Sequence, residues 1–144
     1  MVQSKTYRNL VQSDQLAPFQ VSVKETDLII CARDNLKPQA IDSILSHRGI
    51  IEAYIEMYPD FMQTLTPWPL TSPMPGIVRE MADAGRLAGV GPMATVAGAI
   101  AEAVGRDLLK FSPEIVIENG GDVFIKTDRS TTVGIFAHRS PMSL

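Results

Sequence analysis

The sequence predicts an α/β (α+β) fold: one domain in which short strands form a mixed sheet and helices pack on it. Three observations carry this expectation. Short apolar runs with alternating or unbroken hydrophobicity occur near both ends of the chain. Long segments with helical apolar spacing lie between them. A helix rich in alanine and glycine then leads into a strand that ends in Asn119-Gly120-Gly121-Asp122. The 144 residues suit one domain, and at that size a real core can form.

The first element alternates, with Phe19, Val21 and Val23 on one face and Gln20, Ser22 and Lys24 on the other. A polar turn, Lys24-Glu25-Thr26-Asp27, precedes the nearly continuous apolar run Leu28 to Ala32. The pair reads as a β-hairpin whose second strand is the more buried. Pro38 to Tyr58 reads as a long helix. Proline is tolerated in the first turn, where its missing N–H costs nothing. Ile41, Ile44, Leu45, Ile51, Tyr54, Ile55 and Tyr58 form its apolar stripe, and Pro59 ends it. Arg48 falls within the stripe. Either its stem snorkels with the charged head at the edge, or it is a buried cation that pairs with an acid or an anionic ligand.

Pro67, Pro69, Pro73 and Pro75 make the segment from Thr64 to Gly76 an extended connection. Trp68, between two of them, serves either as a hydrophobic plug or as a ligand-stacking ring. A second helix is expected from about Pro75 to Ala88, with Ile77, Met81, Ala84 and Ala88 inward and Gly89 as its C-terminal cap. A third is expected from Pro92 to about Lys110. Ala94, Ala97, Gly98, Ala101 and Gly105 line one of its sides, so this helix should press closely on a sheet or another helix. Gly98 costs such a helix about 1 kcal/mol relative to alanine, which calls for a packing or ligand reason. Glu114 to Glu118 is a buried strand, Asn119 to Asp122 a tight turn, and Val123 to Ile125 the returning strand. Thr132 to Ala137 reads as a further strand.

Composition excludes several classes of function. The net charge of -3 provides no basic field for nucleic acid. The single cysteine, Cys31, provides neither a disulfide nor a zinc framework. The N-terminal stretch lacks the apolar segment of a signal peptide. The most apolar window, Val90 to Val104, contains Glu102 and many small residues, which does not suit a membrane span. A cytoplasmic protein without membrane or nucleic-acid partners is expected. His47 and His138 are isolated, so a metal site built on histidine is not indicated. There is no G-x-S-x-G elbow, and Cys31 lies in an apolar strand, so covalent nucleophilic catalysis is not indicated.

Two segments remain as candidate sites. The Gly91-Pro92 helix start, with Thr95 in the first turn, has free N–H groups that suit a phosphate, or is simply a tight strand-to-helix turn. Glu118-Asn119-Gly120-Gly121-Asp122 is a hairpin turn, or a strand end that delivers polar groups to a cleft.

A family resemblance bears on both. It is carried by Lys24 to Leu28, by Val90 to Ala94 with Val96 to Glu102, and by Glu118 to Asp122. Arg48, Glu52 to Ile55 and Pro59 to Phe61 add to it. Together these resemble an uncharacterised bacterial and archaeal family of ApbE-like proteins, over about Tyr7 to Ser140. That family is distantly similar to the ApbE flavin transferases, which use FAD and magnesium to attach FMN to a threonine of a partner protein. Val116 to Val123 carries the distant link.

The resemblance implies an ApbE-like fold and a flavin or nucleotide as the small-molecule partner, with FAD and Mg as cofactors. The cofactor site would comprise Gly91, Pro92, Thr95, Asn119, Gly120, Gly121 and Asp122, and Glu102 with Asp122 would be the metal ligands. Two features depart from the transferases. No lysine lies between Gly91 and Glu102, and the chain ends before their C-terminal Asp and Thr metal pair. The domain is therefore expected to lack its C-terminal part. The functional expectation is flavin or nucleotide binding, or FMN transfer. The alternative is a non-catalytic binding or assembly protein on the same scaffold.

Overall fold

A computed structural model describes residues 16–128. Strands β1 (Ala17–Val23) and β2 (Thr26–Ala32) pair antiparallel from Ala17 opposite Ala32 to Val23 opposite Thr26. The connecting turn holds only Lys24 and Glu25, with Lys24 at φ 53°. It is shorter than the four-residue turn expected, because a two-residue turn matches the twist of the flanking strands, so Thr26 and Asp27 already pair. The alternation in β1 turns Val21 inward, and every residue of β2 from Leu28 to Ala32 is buried.

Helix α1 (Lys37–Met57) buries Ala40, Ile44, Ile51 and Tyr54 and stops at Pro59. A one-turn helix, α2 (Asp60–Gln63), follows, and its Phe61 is fully buried. No helical periodicity announces an element this short. In the extended connection Trp68 is a plug. Its ring lies edge-on to Phe61 with centroids 5.3 Å apart, and its Nε1 donates to the Tyr54 hydroxyl at 3.1 Å.

Helix α3 (Gly76–Ala88) ends at Gly89, whose φ of 73° is the left-handed cap expected there. Its buried side holds Ile77, Val78, Met81, Ala82 and Gly85, whereas Ala84 and Ala88 are exposed. Gly85 takes the inward position because the chain doubles back over it: a Cβ there would lie 2.8 Å from the Val90 carbonyl oxygen.

The helix expected from Pro92 is two pieces, a 3-10 turn (Pro92–Thr95) and helix α4 (Val96–Leu108). The tighter winding has a side-chain cause. The Thr95 hydroxyl donates to the carbonyls of Pro92 at 2.8 Å and Met81 at 3.2 Å, and such side-chain bonds compete with α-helical pairing.

Strands β3 (Ile115–Asn119) and β4 (Asp122–Lys126) form the second hairpin. Gly120 and Gly121 have φ of 58° and 98°, the values a two-residue turn of this type requires. The sheet order is β1-β2-β3-β4. The class is α+β, and within it the sheet is antiparallel throughout rather than mixed. Two pairings are hairpins, and the helical excursion between β2 and β3 returns the chain antiparallel, with Ala32 opposite Ile115. The further strand expected over Thr132 to Ala137 lies outside the described residues.

Val21, Leu28, Ile30, Ile115 and Ile117 from the sheet share one core with Ile44, Ile51, Ile100, Val104 and Leu108 from the helices. The small-residue side of α4 lies on the second hairpin. The Ala97 carbonyl accepts from Asn119 Nδ2 at 3.0 Å, Gly98 faces Asp122, and Gly105 makes room for the Phe124 ring. Among the described residues no single helix is long and apolar enough to cross a membrane.

Candidate functional site

Two hollows flank the start of α4. The larger, about 550 Å³, lies between α1, the hairpin turn after β1, and α4. Its walls are mainly apolar: Ile51 and Ile55 from α1, Met62, Met93, then Val96 and Ile100 from α4. Polar groups are few, namely Glu25, Thr26, Arg48, Glu52 and Asn119. Thr26 comes from β2, Arg48 and Glu52 from α1 and Asn119 from β3, whereas Glu25 stands in the turn between β1 and β2.

Arg48 dominates the polar part. One guanidinium nitrogen, Nη1, donates to Thr26 Oγ1 at 2.7 Å; the other, Nη2, donates to Glu25 at 2.7 Å and Glu52 at 3.1 Å. Its Nε is buried with no hydrogen-bond partner. Arg48 is thus the paired cation rather than a snorkelling stem. Glu52 also meets Lys24 at 3.3 Å. A backbone hydrogen bond at Glu25, then the hydrogen bond and charge of Arg48, hold the Glu25 carboxyl below the usual carboxylate range.

The second hollow, about 430 Å³, is lined by Glu80, Ala84, Ala94, Thr95, Gly98, Ala99, Glu102 and Asp122. Arg106 bridges two of its acids, Glu80 at 3.4 Å and Glu102 at 2.9 Å.

The residues singled out in the sequence are distributed as follows. Thr95, Glu102 and Asp122 meet in the second hollow, while Asn119 lines the first. Gly91 abuts the backbone of Thr64 and Leu65, so its missing side chain serves chain packing. Pro92 is buried. The Thr95 hydroxyl spends its proton on backbone carbonyls. Gly120 and Gly121 shape the turn, with open space where a side chain would stand. Glu102 is tied to Arg106, and among the described residues no group of three or more His, Cys, Asp or Glu could hold a metal ion. Glu102 and Asp122 therefore do not by themselves fit a magnesium site.

A further cluster escaped sequence reasoning. Asp107 Oδ2 accepts from the Ser43 hydroxyl at 2.7 Å and lies 2.9 Å from His47 Nε2. Ser43 and His47 stand one helical turn apart, which is a readable spacing, but Asp107 comes from another helix. Burial pushes the Asp107 carboxyl up. The hydrogen bonds of Ser43 and His47, with the charges of His47 and Lys110, outweigh that and hold it low. Its folded pKa thus lies below its unfolded value, so its stabilisation is present above the unfolded pKa and is lost as pH falls through the folded one. Asp107→Asn is expected to flatten the fall of the urea midpoint below about pH 4. A profile identical to the unaltered protein would contradict this linkage. His138 lies outside the described residues.

The profile of a protein family described as AbpE bacteria matches residues 8–144. The chain belongs to this family. Similar proteins include a UPF0280 protein of Methanococcus aeolicus, 39% identical over 125 residues that cover 85% of this chain and 50% of that protein. A UPF0280 protein of Methanocella arvoryzae is 37% identical over 124 residues, covering 83% and 49% respectively. One of Methanosarcina acetivorans is 37% identical over 122 residues, covering 83% and 48%. The chain thus spans about half the length of these relatives.

Membership in the AbpE bacteria family, with UPF0280 proteins as relatives, corrects the ApbE-like assignment drawn from the sequence. Neither name states flavin transfer.

Proposed function

We propose that this chain binds a small molecule with a flat, largely apolar body, of the flavin or nucleotide-base class, in the cavity between α1 and α4. The supporting observation is the cavity itself: about 550 Å³, with apolar walls and a few polar groups gathered from separate elements. Small-molecule sites typically occupy roughly 300–1,000 Å³ and have this composition. Ile51, Ile55, Met93, Val96 and Ile100 would face the ring, and Thr26, Arg48 and Asn119 its polar rim.

The reading assigns binding and no reaction. Riboflavin, FMN and FAD carry the same ring and are the probes of choice. Magnesium has no part in it. The acids of the second hollow, Glu80, Glu102 and Asp122, would repel a pyrophosphate beside Thr95. We place the protein in a reducing compartment, the cytoplasm. Cys31 is buried and unpaired, and burial pushes its thiol up to about 11, so it suits a site where no disulfide is needed.

Titration of the chain with riboflavin, followed by ligand fluorescence, is expected to saturate. Val96→Trp, which fills the cavity from its α4 wall, is expected to weaken that binding at least about tenfold without loss of the helical circular-dichroism signal. Undiminished affinity in the variant, or no saturation with the unaltered chain, would contradict the proposal.

A further inference from the structure

Arg48 and Glu25 differ sharply in burial although they share a short ion pair. The Arg48 side chain is 18% exposed and the Glu25 side chain 84% exposed, with 2.7 Å between them. A cation largely withdrawn from water in a cavity wall is thus neutralised in part by an acid that stands almost wholly in solvent. An exposed partner of this kind contributes little net stability. Its carboxylate nevertheless sits where an anion would sit to meet a guanidinium edge. Glu25 also belongs to the two-residue turn whose other member, Lys24, is in the left-handed region. The acid therefore rides on a hairpin tip and not on a core element. Arg48 retains a buried Nε without a partner, so the hydrogen-bonding capacity of its guanidinium is not used up. The part-buried contact to Thr26 and the one to Glu52 hold the guanidinium in place whether or not Glu25 is present.

We propose that Glu25 is a placeholder for an acidic group of the ligand: the cavity takes a ring-bearing anion, a phosphate monoester or a free carboxylate derivative of the ring compound, whose anionic group displaces Glu25 from Arg48. This rests on the cavity reading above and narrows its ligand class. The ring enters the apolar walls, the anion replaces the Glu25 carboxylate on Nη2, and the hairpin tip is released. The guanidinium stays paired, because one carboxylate leaves as one anionic group arrives. A neutral ring compound occupies the same walls and leaves the ion pair intact.

The experiment compares FMN with riboflavin on the full chain, because the two share a ring and differ in the phosphate. Glu25→Gln removes the competing charge at an exposed position and is expected to leave the fold unchanged. It should tighten FMN about two- to fivefold, the scale of one exposed ion pair, and leave riboflavin unaltered. Arg48→Gln should weaken FMN by about tenfold or more relative to riboflavin. Carboxymethylflavin in place of FMN separates the two sources of the anion: equal discrimination by Glu25→Gln means that a carboxylate serves as well, and discrimination for FMN alone means that the site takes phosphate. If both ligands bind and Glu25→Gln shifts them equally or not at all, the placeholder role is overturned while the cavity reading stands. If neither ligand binds the unaltered chain, the cavity reading fails and this inference with it.

Discussion

Gly91→Ala is expected to destabilise the chain by about 3 kcal/mol, measured as a lower urea midpoint. The backbone at Gly91 is ordinary, with φ -69°, so conformational freedom is not the reason. The space is taken: an added Cβ would run into the Thr64 carbonyl and the Leu65 α-carbon. Main-chain atoms cannot turn aside as a side-chain tip can, so the connection from α2 or the start of the 3-10 turn must shift. Gly98→Ala is the control. There the nearest atom is Asp122 Oδ1 at 3.3 Å, on a side chain that can rotate, and alanine favours the helix by about 1 kcal/mol. Gly98→Ala should therefore be neutral or stabilising. Equal losses at the two positions would contradict this account of Gly91.

The same residue shows where sequence reasoning reaches its limit. A glycine ahead of a proline-opened helix invites a ligand interpretation, because nothing local says what else fills the space. The occupant, Thr64, lies 27 residues earlier in the chain. Long-range partners of this kind decide most of what was not legible. Arg48 announced itself as a charge in an apolar stripe, but its contact with Thr26 and Glu25 depends on how the first hairpin folds back over α1. Asp107, too, meets His47 only once α1 and α4 are packed.

What is local was legible. The nearly continuous apolar run in β2 foretold a strand more buried than β1, and the Asn-Gly-Gly-Asp segment foretold the β3–β4 turn. The alanine–glycine side of α4 foretold its close approach to a sheet. Even so, the 3-10 turn at Pro92 depends on the Thr95 hydroxyl reaching Met81, a contact that no periodicity encodes.

Phe61→Ala should have the largest effect of any single core truncation, a loss of about 3–5 kcal/mol. Phe61 is fully buried and meets Tyr54 with centroids 5.0 Å apart and Trp68 at 5.3 Å, both edge-on. It joins α1, α2 and the proline-rich connection at one point. Its removal leaves a cavity and frees Trp68, so the tryptophan emission should move to the red as stability falls. Met62, the next residue, lines the cavity proposed for the ligand, so the same variant should also bind riboflavin more weakly. A stable variant with unshifted emission would contradict the role given to this aromatic cluster.

The central claim is that the apolar cavity, and not the acidic hollow beside it, receives the ligand. The most direct test is a map of backbone amide chemical-shift changes on addition of riboflavin to the isotope-labelled chain. The account predicts saturable shifts concentrated at Thr26, Arg48, Ile55, Met93, Val96 and Asn119. Shifts centred instead on Glu80, Glu102 and Asp122, or no saturable shifts, would contradict it.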